Sequence, residues 1–216
     1  MKQYKLVILM FACFLLFWSL SVLYSTSAVS TLDFAVSEYV QSFRNEALTN
    51  WFKAASYIGS IHMYLPLVYI FALYFLIRKQ FWAAILLFIS LYGSRYLNKA
   101  LKLWYERPRP DINSLVTATG YSFPSGHAMN AVAFVGFVAY LAITEHRLKL
   151  WQKLILIIFA SVLIFSIAIS RVYLGVHYLS DILAGFAAGG SWLLLCILLH
   201  KRFCPKNKQE ASFLKK

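Results

Sequence analysis

Three short polar blocks interrupt an otherwise apolar chain, and each holds residues able to bind an anion or move a proton. The first is KLWYERPRP, in which Lys102 is followed by six residues and then Arg109-Pro110. Two cations about two helical turns apart, the second fixed in an extended turn between Pro108 and Pro110, suit an anion held from two sides. The same residues also fit a helix end whose Lys and Arg reach up to lipid headgroups. The second block is YSFPSGHAMN, residues 121 to 130. Pro124 suits the first position of a helix capped by Ser122 or Phe123. The backbone N–H groups of Ser125 and Gly126 then fall among the unpaired donors of a helix N-terminus, where the macrodipole favours an anion. Gly126 lets the anion approach, the Ser125 hydroxyl adds a donor, and His127 stands at the rim with a ring that exchanges protons near neutral pH. A polar helix cap with an interfacial histidine is the plainer reading. A Ser-His hydrolase fits less well, because Ser125 and His127 lack a matched base geometry and no G-x-S-x-G elbow occurs.

The third block, SRVYLGVHYLSD, sets Ser170-Arg171 five residues before His177, and His177 four before Asp181. If a helix begins at the histidine, His177 and Asp181 share a face and can hydrogen-bond. A carboxylate on one ring nitrogen fixes the tautomer and leaves the other nitrogen free as a nucleophile. Arg171 adds a fork-shaped anion contact. The plainer alternative is an interfacial arginine with an acidic residue in a first helical turn. Together the blocks supply cations, backbone donors, two histidines and a carboxylate, an inventory suited to phosphoryl transfer, where stabilising charge on three oxygens is most of the task. Two His and one Asp form a conceivable zinc or iron set. Three nearby cations oppose a divalent ion, however, and neither an H-E-x-x-H motif nor a Cys pair occurs, so no metal and no cofactor is expected.

The elements that must position these residues are membrane helices. Of 216 residues 61% are hydrophobic and only 13% charged, against roughly a quarter charged in soluble proteins. A crossing needs about 20 mostly apolar residues, and six runs qualify: near 5–24, 62–78, 80–103, 124–144, 152–171 and 178–200. An all-α polytopic bundle in one membrane domain over 1–216 follows, with no soluble domain, repeat or low-complexity tract. The first run resembles a signal peptide in its flanks, but Leu6 to Leu23 is long for one, so an uncleaved anchor is expected. Cys13 and Cys196 fall inside runs and Cys204 in the tail, which makes no disulfide framework.

Charge placement gives the orientation. Alternate inter-helix segments, including the tail 201–216, hold thirteen basic residues against Glu145 and Glu210, a surplus of +11 within the net +13. By the positive-inside rule both termini are cytoplasmic and all three blocks face outward. Nucleic acid is unnecessary to explain the charge. Between the first two runs, residues 25–61 read as two short amphipathic helices. Ser30 and Asp33 form a capping-box-like start, Leu32 to Phe43 follow at helical spacing, and Leu48, Trp51, Phe52 and Ala55 repeat it after Asn45. They either lie on the outer membrane surface or pack on the bundle as a cap.

The pattern Lys-x6-Arg-Pro, Pro-Ser-Gly-His, Ser-Arg-x5-His-x3-Asp resembles the signature of the type 2 phosphatidic acid phosphatase superfamily, membrane lipid phosphatases related to vanadium haloperoxidases. All three blocks match in order across residues 102–181, and the six-run layout resembles the bacterial six-helix members. The resemblance implies that His177 is the nucleophile forming a phosphohistidine, Asp181 its orienting partner, and His127 the acid that protonates the leaving oxygen and later helps activate water. Lys102, Arg109, Ser125, Gly126 and Arg171 would hold the phosphate. Glu106 and Arg107 lie outside the signature and are open as headgroup contacts. Placement at the outer interface suits an amphiphile whose tail stays in the bilayer, and members of this size resemble undecaprenyl diphosphate phosphatases and phosphatidylglycerophosphate phosphatases. No obligate protein partner is inferred. Two rivals stay open: a lipid phosphotransferase using the same residues, and a non-catalytic transporter or binding protein for anionic lipids.

Overall fold

A computed structural model describes residues 3–110 and 113–204; every regular element among them is helical. Lys2, Asp111 and the tail residues 205–216 lie outside the described residues. In chain order the helices are α1 (Gln3–Leu23), α2 (Ser27–Ser42), α3 (Glu46–Ile58), α4 (Ile61–Ile77), α5 (81–105), α6 (Gly126–Glu145), α7 (Leu150–Tyr173) and α8 (Leu179–Phe203). Helices α1, α6, α7 and α8 are long and apolar enough to cross a membrane, and α3 with α4, bent by 46° at their junction, passes the same test as a pair. The run expected to cross near 80–103 forms the helix α5, which runs as Phe81–Phe88, a π turn at Ile89–Gly93 and Ser94–Tyr105. Its second half carries Arg95, Lys99 and Lys102, so length and apolarity identify four or five crossings rather than six.

Two π turns meet where α5 crosses α6, the second at Ala131–Val135. A wide turn displaces carbonyls from the i to i+4 ladder. Ser90 Oγ donates to Ala133 O at 2.8 Å, and Ser94 Oγ donates to Asn130 Oδ1 at 2.8 Å. These buried polar atoms are thereby satisfied within the protein.

Helix α8 is the packing axis. A Cβ built on Gly185 would lie 2.7 Å from Ser125 O, and one on Gly189 2.6 Å from Met129 O, so these two glycines let α6 and α8 touch backbone to side-chain-free backbone. On its other side α1 leans on α8, with Ser191 Oγ donating to Met10 O at 3.1 Å. The upper end of α1 is held by aromatic contacts, Tyr24 stacking on Phe123 with ring centroids 4.7 Å apart.

The two helices expected over residues 25–61, α2 and α3, both pack on the bundle. Asp33 and Ser37 of α2 and Ala55 and Ser56 of α3 are buried, and the Phe52 ring sits 4.4 Å from that of Tyr173. Asn45 caps α3 by accepting from Leu48 N at 2.9 Å. The expected Ser30–Asp33 start is corrected: α2 begins at Ser27 after Thr26, and Asp33 lies inside the helix with its carboxylate turned to the protein interior. An arginine and a serine across the packing seam compete for that carboxylate more strongly than a helix end does.

Candidate active site

The end of α7 turns the chain so that His177 returns beside Arg171. Gly175 adopts φ 76°, Gly175 N–H donates to Val172 O at 3.0 Å, and Val176 N–H donates to Arg171 O at 3.0 Å. This Schellman closure needs a residue without Cβ at its left-handed position, which explains the glycine two residues before the histidine. Helix α8 then starts at Leu179, so His177 stands just outside it. The expected His177–Asp181 contact forms, but by capping rather than along a helix face. Asp181 Oδ2 reaches back to accept Tyr178 N–H at 3.0 Å and the His177 Nδ1 proton at 3.1 Å.

With Nδ1 directed at a carboxylate, the proton is assigned there and Nε2 carries the lone pair. Nε2 meets Arg109 Nη1 at 3.2 Å. The Arg109 guanidinium is pinned by the carbonyls of Gly120 at 2.8 Å, Thr119 at 3.0 Å and Val176 at 2.9 Å. His177 is 2% exposed. Burial, and then the surrounding Lys102, Arg109, Arg171 and Arg107 charges, hold its pKa well below the ordinary histidine value, so the ring is neutral at physiological pH.

A cavity of about 860 Å³ opens beside these groups, and six of the eight sequence-predicted residues line it: Lys102, Arg109, Gly126, His127, Arg171 and His177. Asp181 is fully buried behind His177, and Ser125 is fully buried at the N-cap of α6. Lys102 Nζ is held over the carbonyls of Tyr121 and, at 3.4 Å, Ser122. Arg171 Nη1 donates to Ser56 Oγ of α3. Two buried donors of this group, Ser125 Oγ and Arg171 Nε, have no hydrogen-bond partner. Unpaired buried donors are rare in folded proteins and point to a ligand that completes them.

Three expectations change in detail. The cap of α6 is Ser125, with Pro124 before it, in place of Ser122 or Phe123. The Ser125 N–H is not free for an anion, because it donates to Asp181 O at 2.9 Å and ties the start of α6 to that of α8. Arg107 is no headgroup contact. It is buried, donating to Asp181 Oδ1 at 2.7 Å, Asp33 Oδ2 at 2.8 Å and Ser180 Oγ at 2.7 Å. Asp33 in turn accepts the Ser180 N–H at 2.9 Å. Glu106 stays at the surface, where Tyr121 Oη donates to it at 3.0 Å. Asp33, Ser56, Arg107 and Ser180 were thus missed as supports. Only the Arg-Pro doublet directly before Arg109-Pro110 hinted at one of them.

Residues 82–204 match the PAP2 superfamily. The chain is 35% identical to phosphatidylglycerophosphatase B of Bacillus subtilis (strain 168) over 196 residues, 91% of this chain and 95% of that protein. The crystal structure of the transmembrane PAP2 type phosphatidylglycerolphosphate phosphatase from Bacillus subtilis superposes with a TM-score of 0.87 at 32% identity, covering 92% of this chain and 99% of that one. The crystal structure of Aquifex aeolicus LpxE gives a TM-score of 0.58 at 27% identity, over 79% of this chain and 95% of that one. The chain therefore belongs to the PAP2 superfamily. It is a membrane lipid phosphatase of that family, an enzyme rather than a passive binder of anionic lipids.

Proposed function

We propose that this enzyme removes the terminal phosphate of a membrane lipid at the outer face of the cell membrane, with both termini cytoplasmic, through a phosphohistidine at His177 Nε2. The observation that carries this reading is the gripped imidazole: Asp181 holds Nδ1 at 3.1 Å while Nε2 faces Arg109 at 3.2 Å on a cationic cavity. An incoming phosphate oxygen takes the Arg109 contact and leaves the Nε2 lone pair aimed at phosphorus. The N–P bond forms as the bond from phosphorus to the lipid oxygen breaks, and His127 delivers its proton to that oxygen. In the second half His127 takes a proton from water, whose oxygen displaces His177 from phosphorus. Lys102, Arg109 and Arg171, with the Ser125 hydroxyl and the Gly126 N–H, stabilise charge on the phosphoryl oxygens.

The relatives support phosphatidylglycerophosphate as substrate, and the outer-face placement supports undecaprenyl diphosphate beside it. Phosphate release from phosphatidylglycerophosphate, undecaprenyl diphosphate and phosphatidate by the purified full chain tests the reading. Release from at least one lipid, with an acid-labile and base-stable phosphate adduct mapped to His177, is the expected result. Release from none, or an adduct elsewhere, overturns it.

A further inference from the structure

The cavity holds more positive charge than one phosphate monoester requires. Arg95 and Lys99 share the Lys102 face of α5, two turns and one turn from it, and both line the same cavity. Among the described residues no Asp or Glu lines that cavity, and neither Arg95 nor Lys99 has a carboxylate partner. Arg95 is half-buried on the cavity wall, ten residues before the end of the helix that runs 81–105, and Lys99 is exposed one turn closer to Lys102. A half-buried arginine that faces a cavity without a carboxylate partner suits an anion that completes it.

We infer that Arg95 and Lys99 form a second anion subsite for a non-scissile phosphodiester, which makes them the residues that favour a lipid whose terminal phosphomonoester is set apart from a phosphodiester by a short spacer over a lipid without that second group. The inference rests on the lipid phosphatase reading above and adds a recognition element to it. Its geometry is longitudinal. Seven residues of helix separate Lys102 from Arg95 by about 10 Å along the axis, a distance that long side chains shorten. In a directly bridged diphosphate the second phosphorus stays beside the first, within reach of Lys102 and Arg109, and Arg95 is left unused. A lone monoester such as phosphatidate uses neither Arg95 nor Lys99. In a spaced lipid the phosphodiester lies on the tail side of the scissile phosphate, hence deeper in the bilayer, and Arg95 is displaced from Lys102 in that direction. A guanidinium fork also matches the two free oxygens of a phosphodiester.

The test measures kcat/KM for phosphatidylglycerophosphate and for phosphatidate with the same acyl chains, using the wild-type chain, Arg95→Gln, Arg95→Lys and Lys99→Gln. The ratio of the two values should favour the spaced lipid in wild type. It should fall about tenfold in Arg95→Gln, the size of one charge-assisted contact, and recover partly in Arg95→Lys. A ratio that stays at the wild-type value in both glutamine variants, or equal losses on both lipids, overturns the subsite. Lys99→Gln keeps the test decisive if Arg95→Gln fails to fold. Wild-type enzyme that hydrolyses neither lipid, nor a bridged diphosphate, defeats instead the phosphatase reading on which the subsite rests.

Discussion

His177 and His127 line one cavity, yet only His177 has a carboxylate on its ring. In the proposed reaction that difference separates nucleophile from acid, and leaving-group chemistry can read it. His177→Ala should lose phosphoenzyme formation with every phosphate ester. His127→Ala should lose ~10²- to 10⁴-fold on a lipid alkyl phosphate and much less on a nitrophenyl phosphate, whose departing oxygen needs no proton. Single-turnover phosphoenzyme formation is the quantity to follow; equal losses for both leaving groups would reverse the assignment. The pH dependence has a definite sign. Protonation of His177 removes the lone pair, and burial with the surrounding cations lowers its pKa below the ordinary ~6.5, so the acid limb of phosphoenzyme formation should fall below that value. The substrate's own titration is measured in parallel and divided out. A limb at or above pH 6.5 contradicts a depressed nucleophile. The signature residues were legible because a polar side chain stands out in a membrane helix. What Ser125 does with its N–H was not, since the Asp181 carbonyl that takes it comes from a distant part of the chain.

Helix α2 supports the site through one contact chain: Asp33 to Arg107, Arg107 to Asp181, Asp181 to His177. Arg107 lies over the Tyr178 ring, 4.3 Å from its centroid, which fixes the guanidinium plane between the two carboxylates. Removing this arginine leaves two buried acids facing each other, and breaking such buried pairs costs about 3–5 kcal/mol. Arg107→Met should therefore lower Tm sharply. Arg107→Lys keeps the charge but cannot fork, so it should fold, lose about tenfold in kcat and leave KM for lipid nearly unchanged. A change confined to KM would place Arg107 in substrate binding. The periodicity of 25–61 announced two amphipathic helices, and two are present. Asp33 was read as a cap because an acid near a helix start usually is one; its partner, Arg107, follows another helix 74 residues on, so no local pattern pairs the two.

The bundle carries its charge asymmetrically, and the proposed orientation follows from that imbalance. In a background lacking Cys13, Cys196 and Cys204, a cysteine replacing the exposed Ser114 should react with an impermeant maleimide in intact cells. Labelling only after permeabilisation would turn the molecule over. Hydropathy located α1, α6, α7 and α8 within a few residues. It was weakest for α5, where the cations that line the cavity dilute the apolar signal. The backbone contacts at Gly185 and Gly189 have a mechanical corollary. Because main chain meets main chain there, the spacing between the starts of α6 and α8 is set by the stiffest part of the protein and not by side chains that yield to lateral pressure. The chain segments that carry His127 and His177, at the starts of these two helices, are therefore held at a spacing that repacking of side chains elsewhere does not alter.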